Sequence, residues 1–243
     1  MFLELRKGAY RALKYRLLRP TPPPLLRKFR GPVVVVGSAP VSHKPEGFDE
    51  TFTVITVNGS QFVTSEWGIP DPDITMMMFN QVEGTTRNAM EVRRVLSSRR
   101  TGSLYVFLWR KRDRQRLERG LRAFDYGYED LHIVDRYERM ALLDKVAGQH
   151  SLELDADSKV STGVNAVLFA LYHKAPAVVI TGINPMSAGH AYNDAGLGRL
   201  HQQVDHSILQ RLQAQGAPIY TADPIVAENT GIRYWRGVGG DTQ

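Results

Sequence analysis

The sequence predicts an α/β protein in which one mostly parallel β-sheet is doubly wound by helices. Three observations predict it: short apolar runs recur along the chain, stretches with helical periodicity separate them, and polar residues follow the runs. The 243 residues fit one large domain of this class. We expect that domain over residues 31–243, preceded by a basic arm over residues 1–30.

The basic arm is expected to begin with an amphipathic helix. It has nine Lys or Arg residues and one acidic residue, so it carries +8, whereas the rest of the chain has 22 basic and 24 acidic residues and carries −2. Apolar residues recur in it at roughly helical spacing, Pro20 should end the helix, and the prolines of residues 22–24 predict a stiff extended spacer. The helix lies either on an anionic membrane surface or on the protein's own body with its basic face in solvent; both remain open.

Six apolar runs predict the strands of the sheet. They are Pro32–Val36, Thr53–Val57, Ile74–Phe79, Leu104–Trp109, Ala177–Thr181 and Pro218–Tyr220. The first run is β-branched, which is typical of a buried parallel strand. Ligands of such sheets bind beyond the carboxyl ends of the strands, so the residues that follow each run are candidate site residues.

Four stretches with helical periodicity connect these strands. They are Arg87–Leu96, Asp113–Phe124, Gly163–His173 and Gln202–Gln215. The third follows Ser161 and Thr162, which are ordinary helix-capping residue types. The same helix start would also offer backbone N–H groups and the positive end of the helix dipole to an anion. Both roles remain open for this turn.

The composition excludes several classes of protein. Cysteine is absent, which excludes a disulfide framework, a thiol nucleophile and Cys-ligated zinc, and which fits a cytoplasmic location. No apolar run approaches the ~20 residues that span a bilayer. The arm's apolar residues are interleaved with charge, unlike a secretory signal. Because the body is nearly neutral, we expect no nucleic-acid partner.

Polar residues follow several predicted strands. The loop Gly37-Ser38-Ala39-Pro40 could approach a nucleotide, although it lacks the G-x-G-x-x-G spacing. Asn58 and Asn80 end the next two runs and could hydrogen-bond a base or sugar, or simply form turns. Asp71-Pro-Asp73 mimics the metal-binding D-x-D of sugar transferases, but it precedes a strand, so we expect a turn.

Three histidines and a tyrosine cluster late in the chain. They are His190, Tyr192, His201 and His206, and they suggest acid–base chemistry or a metal. Neither His190 and His201 nor His201 and His206 have i, i+4 spacing, so a zincin-like helix is not expected.

The order of these motifs resembles that of the bacterial sialyltransferases of glycosyltransferase family 42 and, more distantly, of family 29. The matching stretches run from about residue 32 to residue 232. They are VVVVGSAP, FTVITVN, MMMFN, KVSTGVNAVLFAL, VVITGINPMSAGHAYN, HQQVD and IYTADPIVAENTGI.

The resemblance implies a Rossmann-like variant of the GT-A fold and inverting transfer of sialic acid, or of a related 2-keto sugar acid such as Kdo, from its CMP-activated form. It implies no metal and no cofactor besides the CMP-sugar donor. The donor-binding residues that it implies are Gly37, Ser38, Ala39, Pro40, Asn58, Asn80, Ser161, Thr162, Gly163 and Asn184. The catalytic residues that it implies are His201 as general base, Asp205 to orient it, and Tyr192 to hydrogen-bond the departing phosphate. Because Met186 replaces a tyrosine of the family pattern, Ser187 or His190 is expected to compensate, and His190 ranks first because it can donate a hydrogen bond to phosphate.

The chain departs from the family pattern at three places. Ser38 stands where the first loop of the family usually has Asn, and Met186 stands where the family often has the first of two phosphate-binding tyrosines. The segment Asn193–Leu200 is short where the family carries a lid, which suggests an open acceptor site for a large glycan or a lipid-linked acceptor.

The first hypothesis is therefore a glycosyltransferase of polysaccharide biosynthesis that is peripheral on the inner membrane surface through residues 1–30. Its partners would be a CMP-activated sugar acid and a glycan or lipid-linked acceptor. The departures leave two alternatives: a CMP-sugar or glycan-binding module without turnover, and a CMP-sugar hydrolase in which water reaches an open site.

Overall fold

One eight-stranded sheet organises the protein. The computed structural model describes residues 2–108, 111–155, 158–187, 189–192 and 201–237. The strands are β1 Val33–Val36, β2 Thr53–Val57, β3 Ile74–Met78, β4 Arg100–Phe107, β5 Gly127–Val134, β6 Val178–Thr181, β7 Ile219–Thr221 and β8 Arg233–Tyr234. Their order across the sheet is β5-β4-β3-β2-β1-β6-β7-β8, and every neighbouring pair is parallel.

Helices flank both faces of the sheet. They are α1 Phe2–Leu18, α2 Gln61–Glu66, α3 Phe79–Glu83, α4 Arg87–Leu96, α5 Arg114–Ala123, α6 Arg136–Ala147, α7 Thr162–Tyr172, α8 Gln202–Ala214 and α9 Pro224–Thr230. None of the described helices is both long and apolar enough to cross a bilayer.

The strand order has one reversal point, between β1 and β6. The chain builds outward from β1 to β5, then returns through α6 and α7 to place β6 on the other side of β1. The carboxyl ends of β1 and β6 therefore border a crevice, which is where ligands bind in open sheets of this class. The predicted fold class, an α/β protein with a doubly wound parallel sheet in a single domain, is confirmed.

The buried strands supply both layers of the core. Alternate residues of β1 enter opposite cores: Val33 and Val35 pack on the α7 side, and Val34 and Val36 on the other side. Helix α7 is buried along nearly its whole length because it lies between the sheet and helices α6 and α8. This explains why the α7 sequence is apolar on every face rather than on one stripe.

Two strands were not predicted, and others differ at their ends. The β5 strand lies at the edge of the sheet and contains Glu129, Asp130 and His132, and the β8 strand is exposed, so neither forms an apolar run. The β4 strand begins at Arg100, four residues before the predicted start, because its first residues are polar. The third run ends at Met78 because Phe79 begins α3. Trp109 lies outside the described residues.

Helix α1 ends at Leu18, before Pro20 as predicted, and packs on the body of the protein. Gly8 is buried and faces the side chains of Leu152 and Leu154, which a Cβ atom on it would meet within 4 Å, and Arg11 Nη1 donates to the carbonyl of Leu152 at 2.9 Å. The Tyr15 hydroxyl donates to Asp144 on α6 at 3.2 Å. Among the residues of α1 whose burial the structure describes, the large apolar ones that stay exposed are Leu5, Tyr10, Leu13, Leu17 and Leu18. Helix α1 therefore packs on the body of the protein, and its outward face still exposes apolar side chains to solvent.

The proline spacer after α1 is anchored to the body at two backbone carbonyls. The Pro24 carbonyl accepts the Tyr105 hydroxyl at 2.8 Å, and the Pro23 carbonyl accepts His173 Nε2 at 2.9 Å. Burial raises the pKa of Tyr105 to about 12, which keeps its hydroxyl protonated as the donor. Residues 20–30 therefore run along the body in a defined path.

Candidate functional site

A cavity of about 630 Å³ opens at the carboxyl ends of the central strands. Its lining includes ten of the predicted site residues. They are Gly37, Ser38, Asn58, Asn80, Ser161, Thr162, Gly163, His190, His201 and Asp205. The volume lies within the ~300–1,000 Å³ typical of small-molecule sites. Three of the other predicted residues, Ala39, Pro40 and Asn184, line a second cavity of about 240 Å³.

Two glycines hold the crevice between β1 and β6 in shape. A Cβ atom on Gly37 would lie 2.2 Å from the carbonyl oxygen of Gly182, so no side chain fits there. Gly182 has φ +61°, a left-handed conformation that glycine adopts without strain. Backbone N–H groups of Gly37 and Ala39 donate to Thr181 and Gly182 at 2.7 and 2.8 Å. The two loops are therefore in direct backbone contact at the reversal point.

The Asn58 turn joins the ends of three strands. Asn58 has φ +51°, which Asn tolerates better than most residues, and its Oδ1 accepts the Met78 backbone N–H at 3.2 Å. The Ser60 hydroxyl donates to the Val36 carbonyl. The turn-forming role of Asn58 is thus present, and its side chain lines the cavity as well. Asn80 lies in α3, is exposed and also lines the cavity.

The start of α7 is an N-capped turn that faces the cavity. Ser161 caps the helix by accepting the Val164 N–H at 3.2 Å, as its residue type predicts. The first two helical residues, Thr162 and Gly163, have no intrahelical acceptor for their N–H groups in an α-helix. Both residues line the cavity, so the positive end of the α7 dipole points towards it.

His201 and Asp205 bring the start of α8 to the same place. Both line the cavity, and they lie one helical turn apart. Asp205 is buried and its Oδ1 accepts the Ser161 backbone N–H at 2.8 Å. The sequence did not indicate this contact of Asp205. The contact joins the start of α7 to the first turn of α8, which begins beside His201.

His190 and Tyr192 form a stacked pair. Their ring centroids are 5.2 Å apart with an interplanar angle of 9°, and His190 Nδ1 lies 2.9 Å from the Ser38 hydroxyl oxygen. His190 lines the cavity, whereas Tyr192 is buried behind it against Gly59, with its hydroxyl 3.4 Å from Asn88 Oδ1. The structure thus places His190, rather than Tyr192, at the cavity wall.

The other positions singled out in the sequence fall outside this wall. Met186 is exposed, and its N–H donates to Asn184 Oδ1 at 2.9 Å within a turn. The Asn193–Leu200 segment, where the family carries its lid, lies outside the described residues. Asp73 accepts hydrogen bonds from Arg30 and from the Val54 N–H before β3, which makes it a structural residue, as expected. No group of three or more metal-ligating side chains is found among the residues that the structure describes.

One wall of the cavity is cationic and was missed by sequence reasoning. Arg136, Arg139 and Lys159 line it, and buried Glu153 contacts both arginines. Burial lowers the pKa of Arg136, as does repulsion from Arg11, while Glu153 raises it. Burial likewise lowers the pKa of Lys159. Recognition of β5 would have revealed this wall, because Arg136 and Arg139 begin the helix that follows that strand.

Comparison with known proteins rests on structure alone. No protein-family model matches the chain, and no curated protein matches its sequence. The structures it is similar to include the monofunctional alpha-2,3-sialyltransferase Cst-I from Campylobacter jejuni, with a TM-score of 0.56 and 10% identity over 92% of this chain and 87% of that one. The chain has the fold of a sialyltransferase.

Structures of a second sialyltransferase support the same fold. CST-II in complex with a trisaccharide acceptor and CMP matches with a TM-score of 0.54 and 12% identity, over 87% of this chain and 89% of that chain. CstII from Campylobacter jejuni with CMP-3FNeuAc matches with a TM-score of 0.51 and 13% identity, over 86% and 87%. At these identities the likeness establishes the fold, and membership of glycosyltransferase family 42 stays a prediction.

Proposed function

We propose that this protein is a glycosyltransferase that transfers sialic acid, or a related 2-keto sugar acid, from its CMP-activated form to a glycan or glycolipid acceptor. The observation that carries the proposal is the convergence of Asn58, the Ser161–Gly163 helix start and His201 on one cavity, although they are far apart in the sequence. The cavity lies where sheets of this class bind nucleotides. The structural neighbours include a sialyltransferase bound to CMP and a trisaccharide acceptor.

The donor is proposed to bind with its nucleotide at the reversal point of the sheet. Gly37, Ser38 and Asn58 would contact the cytidine and ribose, and Asn80 would contact the donor from the β3 side. The start of α7 would hold the sugar carboxylate through backbone N–H groups and the helix dipole. Ala39 and Pro40 complete the nucleotide loop. Together with Asn184 they line the neighbouring smaller cavity, and Asn184 would support the loop from that side.

The reaction is proposed to proceed by a single inverting displacement. The acceptor hydroxyl gives its proton to His201 as its oxygen bonds to the anomeric carbon of the sugar. The bond from that carbon to the phosphate oxygen breaks, and CMP leaves with the electron pair. The transition state resembles an oxocarbenium ion. It would be stabilised by a base on one face of the sugar and by a hydrogen-bond donor to the departing phosphate on the other face.

His190 is the better placed of the two predicted phosphate contacts. It lines the cavity and is oriented by Ser38, whereas Tyr192 stacks behind it. We propose that His190 donates to the departing phosphate and that Tyr192 supports the imidazole. A direct contact of Tyr192 with phosphate remains a prediction.

The test is CMP release by the purified full chain. CMP-sialic acid and CMP-Kdo are each incubated with lactose and with a galactose-terminated glycolipid, with and without EDTA. Transfer that survives EDTA supports the proposal, and EDTA-sensitive transfer contradicts its metal-independent part. CMP release without transfer to either acceptor would favour a hydrolase, and CMP binding without release would favour a binding module.

The proposal includes peripheral attachment to the inner membrane surface through residues 1–30. The outward face of α1 supports it, because exposed apolar residues lie among Lys and Arg residues. The Leu13→Gln, Leu17→Gln double variant, which changes only exposed residues of α1, should abolish sedimentation with phosphatidylglycerol vesicles. Unchanged sedimentation would contradict it.

A further inference from the structure

The two arginines of the cationic wall lie towards the end of the cavity opposite the nucleotide loop, whereas Lys159 lies two residues before Ser161, beside the helix start proposed to hold the donor carboxylate. Arg136 follows β5, and the axes of β5 and β1 lie about 19 Å apart in the sheet, because four spacings of about 4.8 Å separate them. Phe107, Leu108 and Val134 line the cavity at the same end as the arginines. This end is therefore distant from the site proposed for cytidine.

The wall concentrates positive charge around one buried carboxylate. Glu153 is 4% exposed and accepts Arg139 Nε at 2.6 Å, while Arg136 Nε lies 3.7 Å from its second carboxylate oxygen. Lys159 faces the same cavity, and Arg11 adds its charge from α1. Partly buried cations that repel each other cost stability, and an anionic ligand would relieve that cost.

Helix α1 connects this wall to the surface of the molecule. Arg11 donates to the carbonyls of Leu152 and Glu153, so α1 rests on the same segment that supplies the wall's carboxylate. Leu13 and Leu17, on the outward face of α1, are 59% and 73% exposed. Exposed apolar side chains flanked by Lys and Arg fit an anionic lipid surface. A membrane held by α1 would lie beside the cationic end of the cavity.

We infer that the cationic wall binds a phosphate group of the acceptor, and that this acceptor is a lipid-linked, phosphate-bearing glycan presented at the membrane. The inference rests on the proposed function and names the acceptor class for the same site. Arginine is suited to this role because its planar guanidinium pairs with two phosphate oxygens at once.

The first experiment measures binding, so its result does not depend on whether the protein turns over a donor. The full chain is titrated by calorimetry with lactose and with lactose phosphate, with and without saturating CMP. We expect lactose phosphate to bind at least tenfold more tightly, as a charge-assisted hydrogen bond implies. Equal affinity for the two sugars, with and without CMP, would overturn the inference.

Variants test whether the preference for lactose phosphate over lactose comes from the cationic wall. Arg136→Gln should remove most of the tenfold preference, Arg136→Lys should keep part of it, and Arg122→Gln, at an exposed position of α5, should leave it unchanged. CMP affinity should stay within about twofold in all three variants. If Arg136→Gln weakened CMP as much as lactose phosphate, the wall would belong to the donor site and the inference would fail.

The last arm separates a lipid-linked phosphate from a free one. Lactose joined to a dialkylglycerol through a phosphodiester is placed in vesicles of phosphatidylcholine and phosphatidylglycerol and compared with lactose phosphate in the presence of the same vesicles and with the same lipid lacking phosphate. We expect the lipid-linked phosphate to bind at least tenfold more tightly than either. The Leu13→Gln, Leu17→Gln double variant should lose the advantage over free lactose phosphate. Equal binding of free and lipid-linked phosphate would contradict the membrane part.

Discussion

The Asp205 carboxylate accepts the backbone N–H of Ser161 at 2.8 Å, and this hydrogen bond joins the first turns of α7 and α8. The residues on its two sides are the N-capped turn proposed to hold the donor carboxylate and the helix that begins beside His201. A movement of either turn would therefore displace the other. Asp205 is better described as a positioning residue for both turns than as a partner of His201 alone.

Replacement of Asp205 by Ala should destabilise the protein by about 1–3 kcal/mol, because the Ser161 N–H loses its acceptor in a buried setting. CMP-sugar affinity should fall together with turnover, since the helix start loses its support. Asp205→Asn retains an acceptor oxygen and should recover most of the stability. Urea unfolding of both variants provides the measurement, and equal losses in the two would contradict the positioning role.

Replacement of His201 by Ala should lower kcat by ~10²-fold or more, as removal of a general base does, with CMP affinity largely retained. His206→Ala is the matched control, because His206 lies in the helix that His201 precedes, has its Nε2 3.5 Å from the Asn229 carbonyl, and is not among the residues that line the cavity. Single-turnover kinetics and CMP titration measure the two effects. Near-normal turnover of His201→Ala would remove His201 from the mechanism.

The position of the cavity could be predicted from the sequence, and its full lining could not. The ends of buried parallel strands are visible as apolar runs followed by polar residues, so Gly37, Asn58 and Asn80 were found. The same reasoning missed β5, because an edge strand that is half in solvent has no apolar run. With β5 missed, Arg136 and Arg139 had no strand end to assign them to the cavity.

The roles of His190 and Tyr192 depend on tertiary packing that the sequence does not encode locally. Both residues follow the same strand, and either could have faced the cavity. Gly59 leaves room for the Tyr192 ring, since a Cβ atom there would lie 2.8 Å from it. Because Gly59 has no side chain, Tyr192 packs inward and His190 stays at the cavity wall. Gly59 lies more than one hundred residues earlier in the chain, so no local pattern shows this contact.

Gly37→Ala should reduce stability by about 2 kcal/mol or more and abolish measurable CMP binding. The added methyl group would lie 2.2 Å from the Gly182 carbonyl oxygen, so the two loops at the reversal point must separate. Gly8→Ala is the control, because its methyl group meets Leu152 and Leu154 at ordinary contact distances of 3.9 and 3.7 Å. That change should stabilise α1 by about 0.5–1 kcal/mol and leave CMP binding unchanged. Normal CMP binding by Gly37→Ala would show that the nucleotide lies elsewhere.

Acid should destabilise the folded protein through the partly buried imidazole of His173. His173 Nε2 must carry a proton to donate to the Pro23 carbonyl, and burial lowers the pKa of His173 below 6.5, although the hydrogen bond to Pro23 opposes the shift. The imidazole is therefore neutral in the folded protein at pH values where part of the unfolded chain is already protonated. Its contribution to stability is present above about pH 6.5 and is lost as pH falls through the lower, folded-state pKa.

His173→Gln isolates this effect, because Gln donates a hydrogen bond and does not titrate. The free energy of unfolding of the wild type should fall relative to His173→Gln as pH is lowered from 8 to 5, with a slope below about 1.4 kcal/mol per pH unit. Urea unfolding at several pH values gives the difference. His206→Gln removes a more exposed imidazole from α8 and serves as the control for the loss of a histidine. A difference between wild type and His173→Gln that does not vary with pH would show that burial does not lower the pKa of His173 in the folded protein.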